Sequence, residues 1–228
     1  MRLSSVCLLA LAVATGFVTS QALSQGKDTP KEGAKEKKKK EKGSSEKGQP
    51  GDAPAPSEDQ QKMMEAMMRY GTPGTEHKLL ERKVGKWNHA VKMWMDPSAA
   101  PGESTGTTEY TMIMQGRYLQ DRTKSQSLGE GAFEGMGLTG YDNFKKKYVS
   151  IWIDNMATGI MYSEGTGDKQ GKVFTFTSEQ PDFKTGKMQK TRMVEQMVDE
   201  NKWNVEMYGP GPDGKEFKTM EIVYTRAK

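Results

Sequence analysis

Trp87-Asn88-His89-Ala90-Val91-Lys92-Met93-Trp94-Met95 is the stretch that decides the fold. Trp87, His89, Val91, Met93 and Met95 make one row, and polar or variable residues stand between them. A period of two is that of a strand with one face turned to a core. Asp96-Pro97 ends the run. Strand-like runs then recur at roughly 107–114, 117–128, 133–141, 147–153, 159–167, 172–179, 188–199, 202–209 and 216–226. Most are separated by turn chemistry: Gly129-Glu130-Gly131, Asp142-Asn143, Gly167-Asp168, Asp182 to Gly186, Asp199-Glu200-Asn201 and Pro210 to Gly214. Turn signals at this spacing, with no helical interruption, specify sequential antiparallel strands. The expected class is all-β: a single antiparallel up-and-down barrel of about ten strands, since closure removes the two edges that a meander exposes. An open sandwich is the alternative that spacing alone leaves.

One or two short helices precede the first strand. Ser57-Glu58-Asp59-Gln60 is a capping box, in which Ser57 accepts an amide hydrogen bond and Gln60 reaches back. The helix it opens, residues 58–70, carries Met63, Met64, Met67 and Met68 on one face. Four thioethers could suit Cu(I), but an apolar stripe ordinarily marks a packing surface. The stripe is expected to pack, as a lid over the barrel mouth. Gly71-Thr72-Pro73-Gly74 ends this helix, and a second, about Glu76 to Val84, places Leu79, Leu80 and Val84 on one side.

Further upstream the pattern changes. Arg2, the uncharged run Val6–Val18 and the small-x-small site Ser20-Gln21-Ala22 make a secretory leader, residues 1–24. Cleavage after Ala22 or after Ser24 fits equally. The run is too short to span a bilayer. The expected location is periplasmic or extracellular, and soluble. Cys7, the only cysteine, lies inside the leader. The processed chain is thus expected to have no disulfide and no thiolate chemistry. Residues 25–57 have no aromatic residue and no Val, Ile or Leu, but nine Lys and six Asp/Glu. Such a segment cannot bury enough apolar area to offset its ordering entropy, and is read as a disordered linker. The net charge of the chain is +4, and all of it belongs to the leader and this linker. Residues 58–228 are neutral overall, which argues against nucleic acid as a partner. Lys37-Lys38-Lys39-Lys40 could make a weak contact with an anionic envelope surface.

Gly85-Lys86-Trp87 opens the first strand and Tyr224-Thr225-Arg226 ends the last. This pair resembles the calycins, the superfamily of lipocalins and fatty-acid-binding proteins. The resemblance implies that Trp87, entered through Gly85, closes the barrel floor and that Arg226 packs across it. The domain from 75 to 228 is also similar to a bacterial, lipocalin-like family, domain of unknown function 1579. The carrying residues are Glu76-His77-Lys78-Leu79-Leu80, Val84-Gly85-Lys86-Trp87, Gly116-Arg117-Tyr118-Leu119, Phe133-Glu134-Gly135, Gly140-Tyr141-Asp142-Asn143, Tyr148, Trp152-Ile153-Asp154, Asp213-Gly214-Lys215-Glu216 and Tyr224-Thr225-Arg226. That family implies a fold and no activity.

No nucleophile elbow, zinc-protease helix, phosphate loop or dinucleotide fingerprint is present. His77 and His89 are the only histidines. His77 is expected at a helix cap or on the surface and His89 in the lining, so no metal site and no cofactor is expected. Asp154 is read first as a turn residue; nothing in the sequence pairs it with Glu164 as an acid–base dyad. The Phe133–Gly140 segment, with glycine at alternate positions, bends the wall or opens room for a ligand beside Tyr141. The leading expectation is a barrel that holds a small apolar or amphipathic ligand. His89, Tyr110, Arg122, Tyr141, Trp152 and Tyr224 would line it, and Arg122 would orient an acidic head group. A filled, non-catalytic structural module of the envelope is the alternative. An enzyme on the same scaffold comes third.

Overall fold

The computed structural model describes residues 55–126, 131–183 and 185–228. The expected leader and nearly all of the expected linker lie outside the described residues, as does most of the Gly129-Glu130-Gly131 turn. Two α-helices come first, α1 (Glu58–Gly71) and α2 (Thr75–Leu80), followed by a 3-10 turn, Glu81–Lys83. Ten strands follow: β1 (Gly85–Met93), β2 (Gly102–Ile113), β3 (Tyr118–Gln126), β4 (Ala132–Asp142), β5 (Lys147–Asp154), β6 (Met161–Gly167), β7 (Val173–Asp182), β8 (Lys187–Asp199), β9 (Lys202–Pro210) and β10 (Glu216–Arg226). Each pairs antiparallel with its neighbour in sequence. β1 pairs with β10, from Trp87 opposite Arg226 to Met93 opposite Met220, so the sheet closes on itself as a barrel. Closure excludes the open sandwich.

Closure places one row of every strand inside. The register chains these rows together: Trp87 faces Thr108, Thr108 faces Thr123, and Thr123 faces Gly135. Around the other side, Met197 faces Trp203 and Trp203 faces Tyr224. The alternation first visible in β1 is therefore the alternation of the whole wall.

One end of the barrel is a sealed floor. Leu80, Trp87, Tyr110, Leu119, Tyr148, Phe174, Phe176, Trp203, Val205 and Tyr224 form the buried apolar core there. Trp203 stacks on Tyr224 with ring centres 4.1 Å apart, and meets Trp87 and Tyr110 edge-on. Such aromatic pairs add to the burial of large apolar area. The Trp87 indole donates to the Lys83 carbonyl at 2.8 Å. Arg226 lies over Trp87, its guanidinium carbon 4.2 Å from the ring centre. It also donates to the carbonyls of Glu200, Val84 and Arg82. Gly85 at φ +124° lets this happen, because a Cβ there would sit 2.9 Å from the Arg226 guanidinium. Gly85, Trp87 and Arg226 thus meet at the floor.

Ser57 caps α1 with the full capping box, but no residue of the helix is buried. Met63, Met64, Met67 and Met68 are 53–65% exposed. The C-terminal end of α1 is tied to loops beside the floor: the Asn143 amide donates to the Tyr70 and Thr72 carbonyls, and Arg117 to that of Gly71. The expected lid is therefore corrected. α1 leaves its Met face in solvent and is held at the end of the barrel opposite the mouth, by the carbonyls of its C-terminus and an edge-on contact of Tyr70 with Phe144.

Candidate functional site

The inward row is not uniformly buried along the barrel axis. At the floor it is closed, as described above. Toward the other end, inward residues regain partial exposure on every strand: Val91 and Met93 on β1, Ser104 on β2, Ser125 on β3, Trp152 on β5, Met161 on β6. Ser178, Thr191, Met207 and Met220 extend the same pattern over β7 to β10. Burial along the inward row is therefore uneven, complete at much of the floor and partial toward the other end.

One side of the upper half is rich in methionine. Met193 faces Met207, Met207 faces Met220, and Met220 faces Met93, across four adjacent strands. All four stand on the inward phase of their strands, and Met193 and Met207 pack against the buried core. Methionine is unbranched and polarisable, and adapts to ligands of varied shape.

The opposite side carries the polar groups. Two inward glycines of β4 are filled by their neighbours: a Cβ on Gly135 would meet the Trp152 indole at 2.2 Å, and one on Gly137 would meet the Asp121 carboxylate at 2.3 Å. The expected room beside Tyr141 is occupied instead by this indole and this carboxylate. Trp152 is held by its own Nε1, which donates to Asp154 at 2.8 Å, and by stacking on Phe133. Below them Thr108 links His89 (3.1 Å) and Thr123 (2.9 Å). Lys83 donates to Glu195 and sits over the Trp203 and Phe174 rings, 4.4 and 5.1 Å from their centres. That pair is desolvated, with side chains 5% and 13% exposed.

The electrostatics follow from this packing. Burial, reinforced by the charge of Glu195 and opposed by Lys83, pushes the Asp121 carboxyl up to about 7. Burial likewise raises the Tyr110 and Tyr224 phenols, with the Asp121 charge contributing to both. Burial lowers the His89 imidazole below its ordinary value.

The residues expected from sequence divide cleanly. His89, Tyr110 and Tyr224 lie inside the floor layer, and all three are buried. Trp152 stands on the inward phase of β5, opposite Gly137, and is partly exposed. Tyr141 faces in at floor level against Tyr148 and His77, with ring centres 5.0 and 6.0 Å apart. Arg122 is exposed and lies on the outer face, near Gln120. Its expected inward placement is corrected: Leu119, Asp121 and Thr123 hold the inward positions of β3, and a one-residue shift of phase exchanges faces. Asp121 is the residue that sequence reasoning missed. Its signal was present, since Leu119 and Thr123 flank it at the strand period.

Two further expectations are met. His77 accepts from the Gly74 amide at 3.0 Å and so caps α2. Asp154 orders its turn, accepting from the amides of Met156 and Ala157. Glu164 is instead held by Lys145 and Lys147, at 2.7 and 2.9 Å, on the outer face. Among the described residues no group of His, Cys, Asp and Glu is arranged to hold a metal ion. Depressions of about 520 and 250 Å³ lie along β10, β1 and β2. They are lined mainly by outward residues such as Ala90, Thr105 and Val223, and are open to solvent. They enclose nothing, whereas ligand sites bury most of a ligand's surface.

A family model described as protein of unknown function (DUF1579) matches residues 72–226, which takes in α2, the 3-10 turn and all ten strands. The chain belongs to this family. No curated protein matches it. In this chain the matched region is a closed barrel with a buried aromatic floor. Among the described residues no helix is long and apolar enough to cross a membrane.

Proposed function

We propose that this DUF1579 protein binds a small amphipathic ligand in the upper half of its barrel, outside the cytoplasm after removal of a leader. The gradient of burial along the inward row carries this reading. Burial is heaviest at the floor, while most inward residues of the upper half, Ser163 and Gly209 excepted, keep partial exposure. The lining matches the ligand class. Met93, Met193, Met207 and Met220 give an adaptable apolar wall, while Trp152, Gln180 and Ser178 supply a few polar atoms among apolar ones. Export is supported by Arg2, the Val6–Val18 run and the Ala22 site.

Native mass spectrometry of protein purified from its host tests both halves of the proposal. The expected result is a chain shortened at Ala22 or Ser24 that carries an extra small-molecule mass. A bare protein that also fails to enhance the fluorescence of an apolar dye sinks the binding reading. That outcome favours the filled structural module. A chain with residues 1–24 intact sinks export.

A further inference from the structure

Helix α1 presents a donor set that the rest of the chain does not use. Met63, Met64, Met67 and Met68 share one face and stand exposed, and among the described residues nothing covers them. The expected packing role is thus absent within the chain. No Leu, Ile, Val, Phe or Trp stands between Glu58 and Arg69. Leucine would supply similar helix propensity and apolar area. What four methionines add is a soft sulfur donor on a flexible stem. The face does not suit a membrane surface. Glu58, Asp59 and Glu65 outnumber Lys62 and Arg69 on this helix, whereas helices that lie on anionic lipid carry basic residues beside Trp, Phe or Leu.

Helix geometry brings the sulfur donors together. Met63 and Met67 are four residues apart, as are Met64 and Met68, and Met64 and Met67 are three apart. At these separations helix side chains are neighbours, with Cβ atoms about 5–6 Å apart. Met64 and Met67 therefore stand in the middle of the group, each beside two other methionines. The helix is fixed at both ends before any ligand arrives. Ser57 and Gln60 exchange the capping-box hydrogen bonds at 2.8 and 3.3 Å, and Asn143 and Arg117 hold the carbonyls at the C-terminal end. Thioethers are uncharged and soft, and select Cu(I) over the harder divalent cations. We propose that Met63, Met64, Met67 and Met68 bind a single Cu(I) ion on the exposed face of α1. The site is separate from the barrel interior, so its fate is independent of the ligand-binding reading above.

The donor type fixes the pH behaviour. Thiols, imidazoles and carboxylic acids must lose a proton to ligate a metal, and a thioether has none to lose. Cu(I) affinity is therefore expected to be level from about pH 5 to about pH 8. The charged groups around the face are Glu58, Asp59, Lys62, Glu65 and Arg69 of α1 itself, with Arg117, Asp142 and Lys145 on the loops tied to its end. None is a thiol or an imidazole, and the carboxylates among them are hard donors.

The test is anaerobic titration of the purified protein with tetrakis(acetonitrile)copper(I) against a chromophoric Cu(I) chelator. The parent is compared with a variant carrying M63L, M64L, M67L and M68L together. Leucine keeps the helix and its apolar face, so circular dichroism and urea unfolding should match the parent and the comparison reports sulfur alone. The parent should hold a single Cu(I) per chain at an affinity level with pH, and the leucine variant should lose it. X-ray absorption at the copper edge should show sulfur neighbours only. Among single variants, M64L and M67L should weaken binding more than M63L and M68L, and Zn(II) should not bind. A parent that cedes all its copper to the chelator overturns the proposal. Copper retained by the leucine variant overturns it in favour of other sulfur, either Cys7 or the methionines of β1, β8, β9 and β10. An affinity that falls as pH falls overturns it in favour of imidazole or carboxylate ligands.

Discussion

The two halves of this barrel are built from the same alternation and carry different burdens. In the floor half, the inward row is Trp87, Tyr110, Leu119, Tyr148, Phe174, Trp203 and Tyr224, and a helix and a 3-10 turn plug it from below. In the mouth half, the same strands present Met, Ser, Thr and Gln to water-accessible space. Large rigid aromatics fill volume and contribute stability. Flexible thioethers and small polar groups leave volume and contribute adaptability. The difference predicts that stability resides in the floor and binding in the mouth, and that substitutions should separate the two.

The largest expected effect is at the floor. Trp203→Ala removes the ring that stacks on Tyr224 and supports Lys83, and should cost about 4 kcal/mol in urea unfolding. A loss below about 1 kcal/mol would mean that the floor is not the stabilising half. Next comes the buried ion pair. Lys83→Met strands the Glu195 carboxylate and should cost about 3 kcal/mol. Adding Glu195→Gln should recover much of this, because the penalty lies in an uncompensated charge rather than in a lost attraction. A double-mutant cycle reads the coupling directly.

Asp121, at the boundary between the halves, should act in the opposite sense. Its folded pKa of about 7 stands above the unfolded value of about 3.9. Between those pH values the folded state holds a proton that the unfolded state has released. Stability therefore falls as pH rises from about 4 to about 7 and is level above that. Asp121→Asn removes this fall, and should be more stable than the parent at pH 8 by about 2 kcal/mol, allowing for the partial accessibility of the carboxylate. His77 and His89, both lowered by burial, tilt the profile the other way below their ordinary range. The measured quantity is therefore the difference between variant and parent across pH 5–8, where a flat difference would show that Asp121 is not strained.

In the mouth, Met220→Ala should cost only about 1 kcal/mol, since its side chain already borders water. It should nonetheless weaken binding of a ten-carbon chain severalfold, by thinning the methionine wall. Equal losses of stability from Trp203→Ala and Met220→Ala would erase the contrast between the halves.

How much of this was legible beforehand follows from what alternation can and cannot encode. β1 shows its two-residue period outright, and the turns between later strands are marked by Gly, Asp and Asn, so ten strands and their order were readable. Gly85, Trp87 and Arg226 stand at fixed ends of the first and last strands, so their meeting was readable too. Closure fixes the register of every pair, and that information is absent from any single strand. In β3, Tyr118-Leu119-Gln120-Asp121-Arg122-Thr123 has a large apolar residue on each phase near its start. Only pairing with Tyr110 and Gly137 decides which phase is inside. A buried, unpaired carboxylate is also the choice that hydropathy argues against. The fate of α1 was illegible for another reason: a Met stripe signals a packing face but not whether a partner is present.

Arg122 provides the smallest expected effect, and the sharpest check on the phase of the wall. It is exposed, its nearest polar partner is the neighbouring Gln120 at 3.5 Å, and it forms no ion pair among the described residues. Removing such a side chain changes stability by no more than about 0.5 kcal/mol. Arg122→Ala should therefore leave unfolding unchanged across pH 5–8, while Asp121→Asn, one residue away, raises stability at pH 8. If Arg122→Ala instead cost several kcal/mol and Asp121→Asn nothing, β3 would be turned over in solution. Leu119 and Thr123 would then face water, and the hydrogen bond from Thr123 to Thr108 could not form. The two adjacent substitutions thus decide between an interior that carries a carboxylate and one that carries a guanidinium.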